Sequence, residues 1–489
     1  MKLNTLGIRA AFLAAIWLIA APAGAVIKLE LPISRVYETS KAVLVGTVAE
    51  VQPDTRLIEV HSVRAAKGTS PGPQLRIVVA APAELIKQVA PAQPVVVFFT
   101  QSRAGGAGQA VIHLADTWLL AQGVPGSQDQ VWRVVQVWEA TKPGFPGRTA
   151  MLVRLIDEFK AGRNAILDKF ERKLFAGGIR QRAKLNVQQP TWLLAADFNG
   201  DKQPDLLIGS ASGTRLLLAT ERGYDDVTEQ WGSWRAAGGY HAVGDVNGDG
   251  KLDLLLNDTL WINDGRKFTA TKVRLDLPAN VRPLAAALAD VTGDGKPDAL
   301  VLAADGELRV FENPGSLDKP WPPRLSKKLW KAPQSPTTAA FGDWGDTGKL
   351  HVLVVGETGV VRYPLDADSL VGSDLERLTG VNIAKNARYR NGLKNAQAVV
   401  LDADQNGRPD LFAVCDTGGL LLVNRGFGTF LLDEDAAGPF AVKGDYRPPF
   451  QLSPSTPWTA ADLHGDGWDD LLVLTADGTL YEVDSKGTR

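Results

Sequence analysis

The chain has 489 residues, 45% of them hydrophobic and 22% charged, which is enough apolar surface to bury a core and excludes bulk disorder. Lys and Arg total 53 against 55 Asp and Glu, and the net charge of −2 excludes a nucleic-acid binder of the simple basic kind. The one cysteine, Cys415, excludes an intrachain disulfide framework and a structural cysteine zinc site. Because it ends the apolar run Leu411–Cys415, we expect it to be a packed strand residue.

The first 25 residues have the pattern of a secretory signal peptide. Lys2 and Arg9 flank the start of the segment, Ala10–Ala21 is apolar, and Ala23-Gly24-Ala25 fits the small-residue cleavage pattern. Cleavage after residue 25 predicts an exported protein, periplasmic or extracellular, and export without disulfides suits a bacterial envelope. An uncleaved anchor is the alternative. Beyond this segment no stretch is apolar enough to span a membrane, so we expect no membrane span after cleavage.

Residues 26–145 read as short strands separated by turn-rich loops, which predicts a small β-barrel-like domain of five or six strands. The predicted strands are Ala42–Val51, Arg56–Val63, Leu75–Ala80, Val95–Phe99, Val111–Trp118 and Trp132–Trp138.

Residues 146–184 change to helical periodicity and predict a helical connector. Thr149 is the expected N-cap, Gly162 the expected break between two helices, and Gly177-Gly178 the end.

An acidic motif then recurs throughout residues 185–489. Its starting residues are numbered 197, 245, 290, 343, 402 and 462, so the intervals are 48, 45, 53, 59 and 60 residues, the size of one blade of a β-propeller. The copy that starts at Asp343 is degenerate. The five intact copies carry oxygen ligands at Asp197, Asn199, Asp201 and Asp205; Asp245, Asn247, Asp249 and Asp253; Asp290, Thr292, Asp294 and Asp298; Asp402, Asp404, Asn406 and Asp410; and Asp462, Asp466 and Asp470.

The spacing of these residues predicts a Ca²⁺ site in each intact copy. Oxygens at positions 1, 3, 5 and 9 of a loop can surround one ion, and glycine at position 6 permits the sharp turn. Hard oxygen ligands in a flexible loop select Ca²⁺ over zinc or copper. The first copy has Lys202 in place of that glycine and is expected to bind more weakly, while His464 puts a poor Ca²⁺ ligand at position 3 of the last copy. We predict no ion in the degenerate copy, where Gly345 and His351 replace ligands.

Each motif lies in the same frame: a strand, the acidic loop, a buried strand, a tight turn and another strand. Four-stranded antiparallel sheets stacked radially would bury both faces of these strands. The Asp-x-Asn-Gly-Asp-Gly-x-x-Asp core, as at 245–253, resembles the FG-GAP/VCBS repeats of the integrin-alpha-type β-propeller. This resemblance implies a propeller with Ca²⁺ in the loop between the first two strands of each blade.

Some features depart from that family. The Phe-Gly and Gly-Ala-Pro signatures are mostly absent, and six blade cores are visible where seven is the common number. A seventh, motif-free blade within 364–395 or 431–455 is the alternative to six. The last copy has three strands before the chain ends, and Leu185–Gln189 is the expected closing strand. The preceding domain, with its start Val45-Gly46-Thr47-Val48, vaguely resembles an OB-like or netrin-like barrel.

The fold class is therefore predicted as mainly β: a six- or seven-bladed propeller preceded by a small barrel-like domain and a short helical connector. We find no catalytic motif, and predict a non-catalytic binding module for a protein or glycan at the propeller face. The alternatives are a polysaccharide hydrolase or lyase with an axial site, and a propeller whose ions serve stability alone while the barrel carries the function. Trp231, Trp234, Trp321 and Trp330 either pack between blades or contact the partner.

Overall fold

The computed structural model describes residues 31–100, 108–128, 130–137, 145–163, 165–167, 175, 178–232, 234, 239–278, 281–329, 336–345, 347–356, 359–365, 373–374, 393, 396–415, 418–433, 448–450 and 456–485. The chain divides into two units, residues 1–168 and 169–489. The expected signal peptide over residues 1–25 lies outside the described residues. None of the helices within the described ranges is both long and apolar enough to cross a membrane.

The first unit contains a closed barrel of seven strands in the order β1-β2-β3-β7-β6-β5-β4. The strands are β1 Ala42–Gln52, β2 Leu57–Lys67, β3 Leu75–Val79, β4 Pro94–Thr100, β5 Gln109–Leu114, β6 Thr117–Gly123 and β7 Val131–Val137. Strand β4 pairs with β1 and closes the barrel, whereas β3 and β7 are the parallel pair. Leu44, Val60, Ile77, Ile112 and Trp132 are among the buried side chains that fill its core.

The prediction of one strand over Val111–Trp118 is wrong, and it accounts for the missing seventh strand. The segment is a hairpin in which Leu114 pairs with Thr117. Ala115 and Asp116 form its two-residue turn with φ of 47° and 57°, the left-handed values that such turns require. Aspartate tolerates this conformation well and alanine does not, so the sequence gives a weak turn signal here.

The helices of this unit are α1, Ile33–Thr39, a 3₁₀ turn at Ala83–Gln88, and α2, Thr149–Lys160. Thr149 is not the N-cap of α2 but its first residue; the cap is Arg148. The Thr149 N–H donates instead to the Asp116 carboxylate at 2.8 Å, so a residue of the β5–β6 turn satisfies a free N–H of the helix. Gly162, with φ of 76°, follows the end of α2 as expected, and the second predicted helix lies largely outside the described residues.

Within the described residues, the second unit is a ring of six four-stranded antiparallel sheets, the blades of a propeller. The segments 364–395 and 431–455, named as the possible seventh blade, lie mostly outside the described residues. Blade 1 comprises β9 Pro190–Ala196, β10 Asp205–Ser210, β11 Gly213–Thr220 and β12 Gly223–Asp226; blade 2, β13 His241–Gly244, β14 Asp253–Leu256, β15 Thr259–Asn263 and β16 Phe268–Arg274; blade 3, β17 Pro283–Ala289, β18 Asp298–Ala303, β19 Glu307–Phe311 and β20 Pro323–Lys328. Blade 4 comprises β21 Pro336–Gly342, β22 His351–Gly356, β23 Gly359–Pro364 and β24 Ser373–Asp374; blade 5, β25 Gln397–Leu401, β26 Asp410–Cys415, β27 Gly418–Asn424 and β28 Phe430–Asp433. Blade 6 comprises β29 Trp458–Ala461, β30 Asp470–Leu474, β31 Thr479–Asp484 and, as its outer strand, β8 Gly178–Lys184. A short helix, α3 Thr228–Trp231, follows blade 1.

The ring closes through β8, not through Leu185–Gln189 as predicted. Strand β8 pairs antiparallel with β31, for example Ala183 with Leu480. Residues 185–189 instead run past the last hairpin, where the Leu185 N–H donates to the Gly478 carbonyl at 2.8 Å. The expected connector over 146–184 therefore contains a propeller strand.

The second strand of each blade is the centre of the core. All residues of β10, β14, β18, β22 and β30 are buried, because each sheet is covered on both faces by its neighbours. Trp231, Trp234 and Trp321 are buried as well, and Trp234 contacts Phe268 edge-on at 5.4 Å, so these tryptophans pack within the propeller. Trp330 lies outside the described residues, and Cys415 ends β26 as a strand residue.

Candidate functional site

The acidic loops all join the first and second strands of their blades. In blade 2 the Asp245 carboxylate accepts hydrogen bonds from the N–H groups of Gly248 at 2.7 Å, Asp249 at 3.1 Å and Gly250 at 2.8 Å. The equivalent aspartates of the other intact copies, Asp197, Asp290, Asp402 and Asp462, accept from their own loops in the same manner. Position 1 therefore organises the loop backbone.

Position 6 has the left-handed backbone that the spacing predicts. Gly250, Gly295, Gly407 and Gly467 have φ between 76° and 82°. Lys202 in the first copy has φ of 67°, a conformation that costs a side-chain residue about 1 kcal/mol or more. The first loop thus carries backbone strain at Lys202, the residue for which weaker ion binding is predicted.

Position 9 has a structural task that sequence reasoning missed. Asp253 is fully buried; one carboxylate oxygen accepts from the Val246 N–H at 3.0 Å and the other from the Asn263 N–H at 2.9 Å. This carboxylate ties the loop to the end of the third strand. Asp205, Asp298 and Asp410 form the same pair of bonds in their blades. The available signal was that each of these aspartates opens a strand whose next residues are apolar.

Burial raises the pKa of these carboxyl groups, and the neighbouring acids of the loop add to the effect. The pKa is about 6 for Asp205 and Asp253 and about 8 for Asp410, while that of Asp298 is also raised. The backbone N–H donors oppose the shift because they stabilise the ionised form. A bound cation would add to that opposition.

The loop of blade 5 brings three of its predicted carboxylate ligands close together. Carboxylate oxygens of Asp402, Asp404 and Asp410 all lie within 4.8 Å of one another. The fourth predicted ligand, Asn406, donates its amide N–H₂ to Asp404 at 2.9 Å. Three carboxylates at this separation repel unless a cation or protons intervene, so the donor set fits a hard divalent ion.

In the loops of blades 1, 2 and 3, neighbouring ammonium, amide or hydroxyl groups contact the carboxylates that are predicted as ligands. Lys251 and Lys296 donate to Asp249 and Asp294 at 3.3 and 3.0 Å. The backbone N–H of Lys296, together with its ammonium group, holds the pKa of Asp294 below its usual range. The side chains at position 3 also contact position 5: Asn199 donates to Asp201 at 2.9 Å and Asn247 to Asp249 at 3.3 Å, while Thr292 lies 3.2 Å from Asp294.

The loops of blades 4 and 6 differ from the others. In the degenerate copy, His351 takes position 9 and approaches the Asp343 carboxylate at 3.7 Å. In blade 6, Asp462 caps the loop as usual, and the backbone N–H of Trp468 donates to Asp466 at 3.1 Å. The ring of His464, however, contacts Glu482 and Asp470, so position 3 takes no part in the expected oxygen set.

The inner strands of all six blades surround a central channel of about 640 Å³. Most of its wall is alanine, leucine and valine, but one side carries Trp192, Tyr240 and His241. The Trp192 and His241 rings stack at 4.2 Å, and burial lowers the pKa of His241 to about 4, so the imidazole is neutral. The Trp192 Nε1, Tyr240 hydroxyl and His241 Nδ1 atoms are buried without a hydrogen-bond partner among the described residues.

We expect Tyr240→Phe to stabilise the protein by about 1 kcal/mol, because it removes a buried hydroxyl that lacks a partner. Chemical denaturation of both proteins measures the difference. Tyr224→Phe is the control: its hydroxyl accepts from Arg182 at 3.2 Å, so that variant should lose stability. A loss in Tyr240→Phe would show that the hydroxyl is hydrogen-bonded in solution.

Comparison with known proteins supports the repeat and its fold. Residues 197–256 match the family model of the FG-GAP-like repeat. This chain carries an FG-GAP-like repeat. The match covers the first two acidic loops, and the six-bladed ring agrees with it. A search of the curated proteins finds no match.

Several solved structures match this chain at low similarity. One is an Agrocybe aegerita lectin described as recognising non-reducing terminal N-acetylglucosamine, with 18% identity, a TM-score of 0.41, and coverage of 60% of this chain and 80% of that one. Another is BBS1N in complex with ARL6DN, with 12% identity, a TM-score of 0.38, and coverage of 67% and 99%. A third is TcdB2-TccC3, with 16% identity, a TM-score of 0.34, and coverage of 81% of this chain but 18% of that one.

Proposed function

We propose that this FG-GAP-type propeller is an exported, non-catalytic binding module that holds Ca²⁺ in its acidic loops and binds a protein or glycan at the propeller face. The observation that carries the calcium assignment is the convergence of Asp402, Asp404 and Asp410 within 4.8 Å. Oxygen donors alone, on a loop with a glycine turn, are the ligand set that Ca²⁺ prefers. Bound ions would stabilise loops that otherwise hold several carboxylates close together.

The export assignment depends on the N-terminal signal pattern at residues 1–25. Ca²⁺ is available at millimolar concentration outside cells, where modules of modest affinity bind it. The two parts of the proposal therefore support each other.

The channel wall around Trp192, Tyr240 and His241 is the part of the propeller face that best suits a ligand. It combines stacked aromatic rings with polar atoms that have no described partner, which is the composition of a typical binding site. The described lining includes no aspartate or glutamate, so no observation there favours the hydrolase or lyase alternative. A glycan array and a cross-linking capture with the purified protein would separate the two partner classes.

Calcium at about 1 mM should raise the melting temperature of the EDTA-treated protein. A site with a Kd of about 10⁻⁴ M contributes about 1.4 kcal/mol at that concentration, and several sites add together. Differential scanning calorimetry measures the shift, and metal analysis by mass spectrometry counts the ions. Asp249→Asn should lower the bound count by one, whereas Thr347→Ala, at the same position of the degenerate loop, should not. An unchanged melt and no bound ion would refute the calcium assignment.

A further inference from the structure

A cluster at the closing blade combines histidine and carboxylate ligands on three elements. His464 lies in the loop between β29 and β30, Asp470 begins β30, and Glu482 lies on β31. The His464 Nε2 atom is 2.9 Å from Glu482 Oε1 and 3.5 Å from Asp470 Oδ2. The three ligand atoms all lie within 4.8 Å of one another.

Glu482 occupies a position that is apolar in four other blades. It lies three residues before Ser485, whose N–H bonds the position-9 aspartate of its blade at 2.9 Å. The residues at the same place in blades 1, 2, 3 and 5 are Leu216, Leu260, Val310 and Leu421. Glu482 is fully buried, and a buried carboxylate at a site built for an aliphatic side chain needs a compensating interaction.

Asp470 supplies an independent observation, because one of its carboxylate oxygens lacks the hydrogen bond that the equivalent oxygen accepts in other blades. In blades 1, 2, 3 and 5 the second oxygen of the position-9 aspartate accepts the N–H of loop position 2. Asp470 is 2% exposed, and its Oδ2 atom has no hydrogen-bond partner among the described residues. That oxygen faces the His464 ring, so a buried acceptor is aimed into the cluster.

We propose that His464, Asp470 and Glu482 form a binding site for a zinc-class divalent transition metal, which would replace the Ca²⁺ predicted for the sixth loop and is separate from the calcium loops of blades 1, 2, 3 and 5. Ligand atoms about 2.0–2.2 Å from a tetrahedral zinc lie about 3.3–3.6 Å from one another. The 2.9 and 3.5 Å separations here require only small shifts to meet that geometry. An imidazole nitrogen beside two carboxylates favours zinc over Ca²⁺, which takes oxygen ligands alone.

Two arginines of β8 complete the surroundings. Arg182 contacts the other oxygen of Glu482, Oε2, at 2.7 Å and would orient this ligand from outside the coordination sphere. Arg180 contacts Glu482 Oε1 and lies 3.1 Å from His464 Nε2, so its guanidinium lies against two of the three proposed ligands and would have to move aside for an ion. Its side chain is 59% exposed and can swing into solvent when the ion enters. Because β8 closes the ring, metal binding would act at the ring closure.

The test uses the full chain and Zn²⁺ in the presence of 1 mM Ca²⁺. Isothermal titration should show one tight Zn²⁺ equivalent, and Co²⁺ in its place should give the visible absorption of a tetrahedral site. His464→Asn introduces the residue found at position 3 in blades 1 and 2, and should weaken Zn²⁺ binding by about 100-fold or more. Glu482→Gln should have a similar effect.

His351→Asn is the matched control, since it removes the other blade-loop histidine and should leave the Zn²⁺ equivalent intact. Thermal melts establish that each variant is folded. Equal Zn²⁺ affinity in the wild type and His464→Asn, or no Zn²⁺ and no tetrahedral Co²⁺ spectrum in the wild type, would overturn the proposal and leave the cluster as an ion-pair network with Arg180 and Arg182. The Ca²⁺-induced shift in melting temperature does not depend on either result, so the two assignments can fail separately.

Discussion

Asp253→Ala should destabilise the metal-free protein by about 3 kcal/mol. The substitution leaves two backbone N–H groups, those of Val246 and Asn263, without their acceptor, and each such loss costs about 1–3 kcal/mol. Part of that cost is offset because the buried carboxylate is itself expensive to desolvate. Equilibrium urea unfolding in EDTA measures the change without any contribution from bound ions.

The control is Asp249→Ala in the same loop. Its side chain is exposed, so in EDTA this variant should stay within about 0.5 kcal/mol of the wild type. Asp253→Asn should fall between the two alanine variants, because the amide keeps one acceptor oxygen. If Asp253→Ala unfolded at the wild-type urea concentration, the position-9 aspartates would have no structural role and would serve as metal ligands alone.

The propeller was predictable because the same short sequence pattern recurs six times. The acidic loop, the apolar second strand and the following turn at fixed spacing specify a hairpin in each blade, and hairpins of this kind bury both faces only in a closed ring. The closing strand was not predictable in the same way. Gly178–Lys184 is polar and mostly exposed, as an outer edge strand can be, and it shows no alternation to detect.

In the candidate site, likewise, the residues of each loop were predictable from their spacing, whereas contacts between different elements were not. The loop residues follow from spacing within nine positions, and the structure places each copy between the first and second strands of its blade. The bond between Asp253 and Asn263 joins two strands, and the contact of His464 with Glu482 joins a loop to a strand 18 residues away. Such pairings depend on register, which single-copy motif reading does not give. Comparing blades position by position would have marked Glu482 as the charged residue among leucine and valine.

The stability of the metal-free protein should fall as pH rises from 6.5 to 8, and Asp410 should account for the fall. Burial, with the nearby charges of Asp404 and Asp402, raises its pKa from 3.8 to about 8. Between those values the folded chain holds a proton that the unfolded chain has released, so stability decreases with pH throughout the interval. At about 1.4 kcal/mol for each pH unit, the part of the interval above pH 6.5 is worth about 2 kcal/mol.

Other groups with large pKa shifts contribute little to the pH dependence of stability between pH 6.5 and 8. Asp205 and Asp253, with pKa values of about 6, lose most of their contribution below pH 6.5. His241, whose pKa is lowered to about 4, has the opposite sign and makes stability rise between pH 4 and 6.5. At pH 6.5 the unfolded histidine is half protonated and it loses that proton as pH rises, so His241 adds back only about 0.4 kcal/mol between pH 6.5 and 8.

Asp410→Asn should therefore flatten the profile from pH 6.5 to 8 in EDTA. Calcium should flatten it as well, because an ion bound to Asp402, Asp404 and Asp410 holds the carboxylates ionised and releases the proton. Titration calorimetry in two buffers of different ionisation enthalpy would count that proton, and Ca²⁺ affinity in the fifth loop should be about fivefold higher at pH 8 than at pH 7 if one proton with a pKa of about 8 is released. A flat wild-type profile in EDTA would mean that Asp410 is ionised in the folded protein, held by its two backbone donors against the cost of burial.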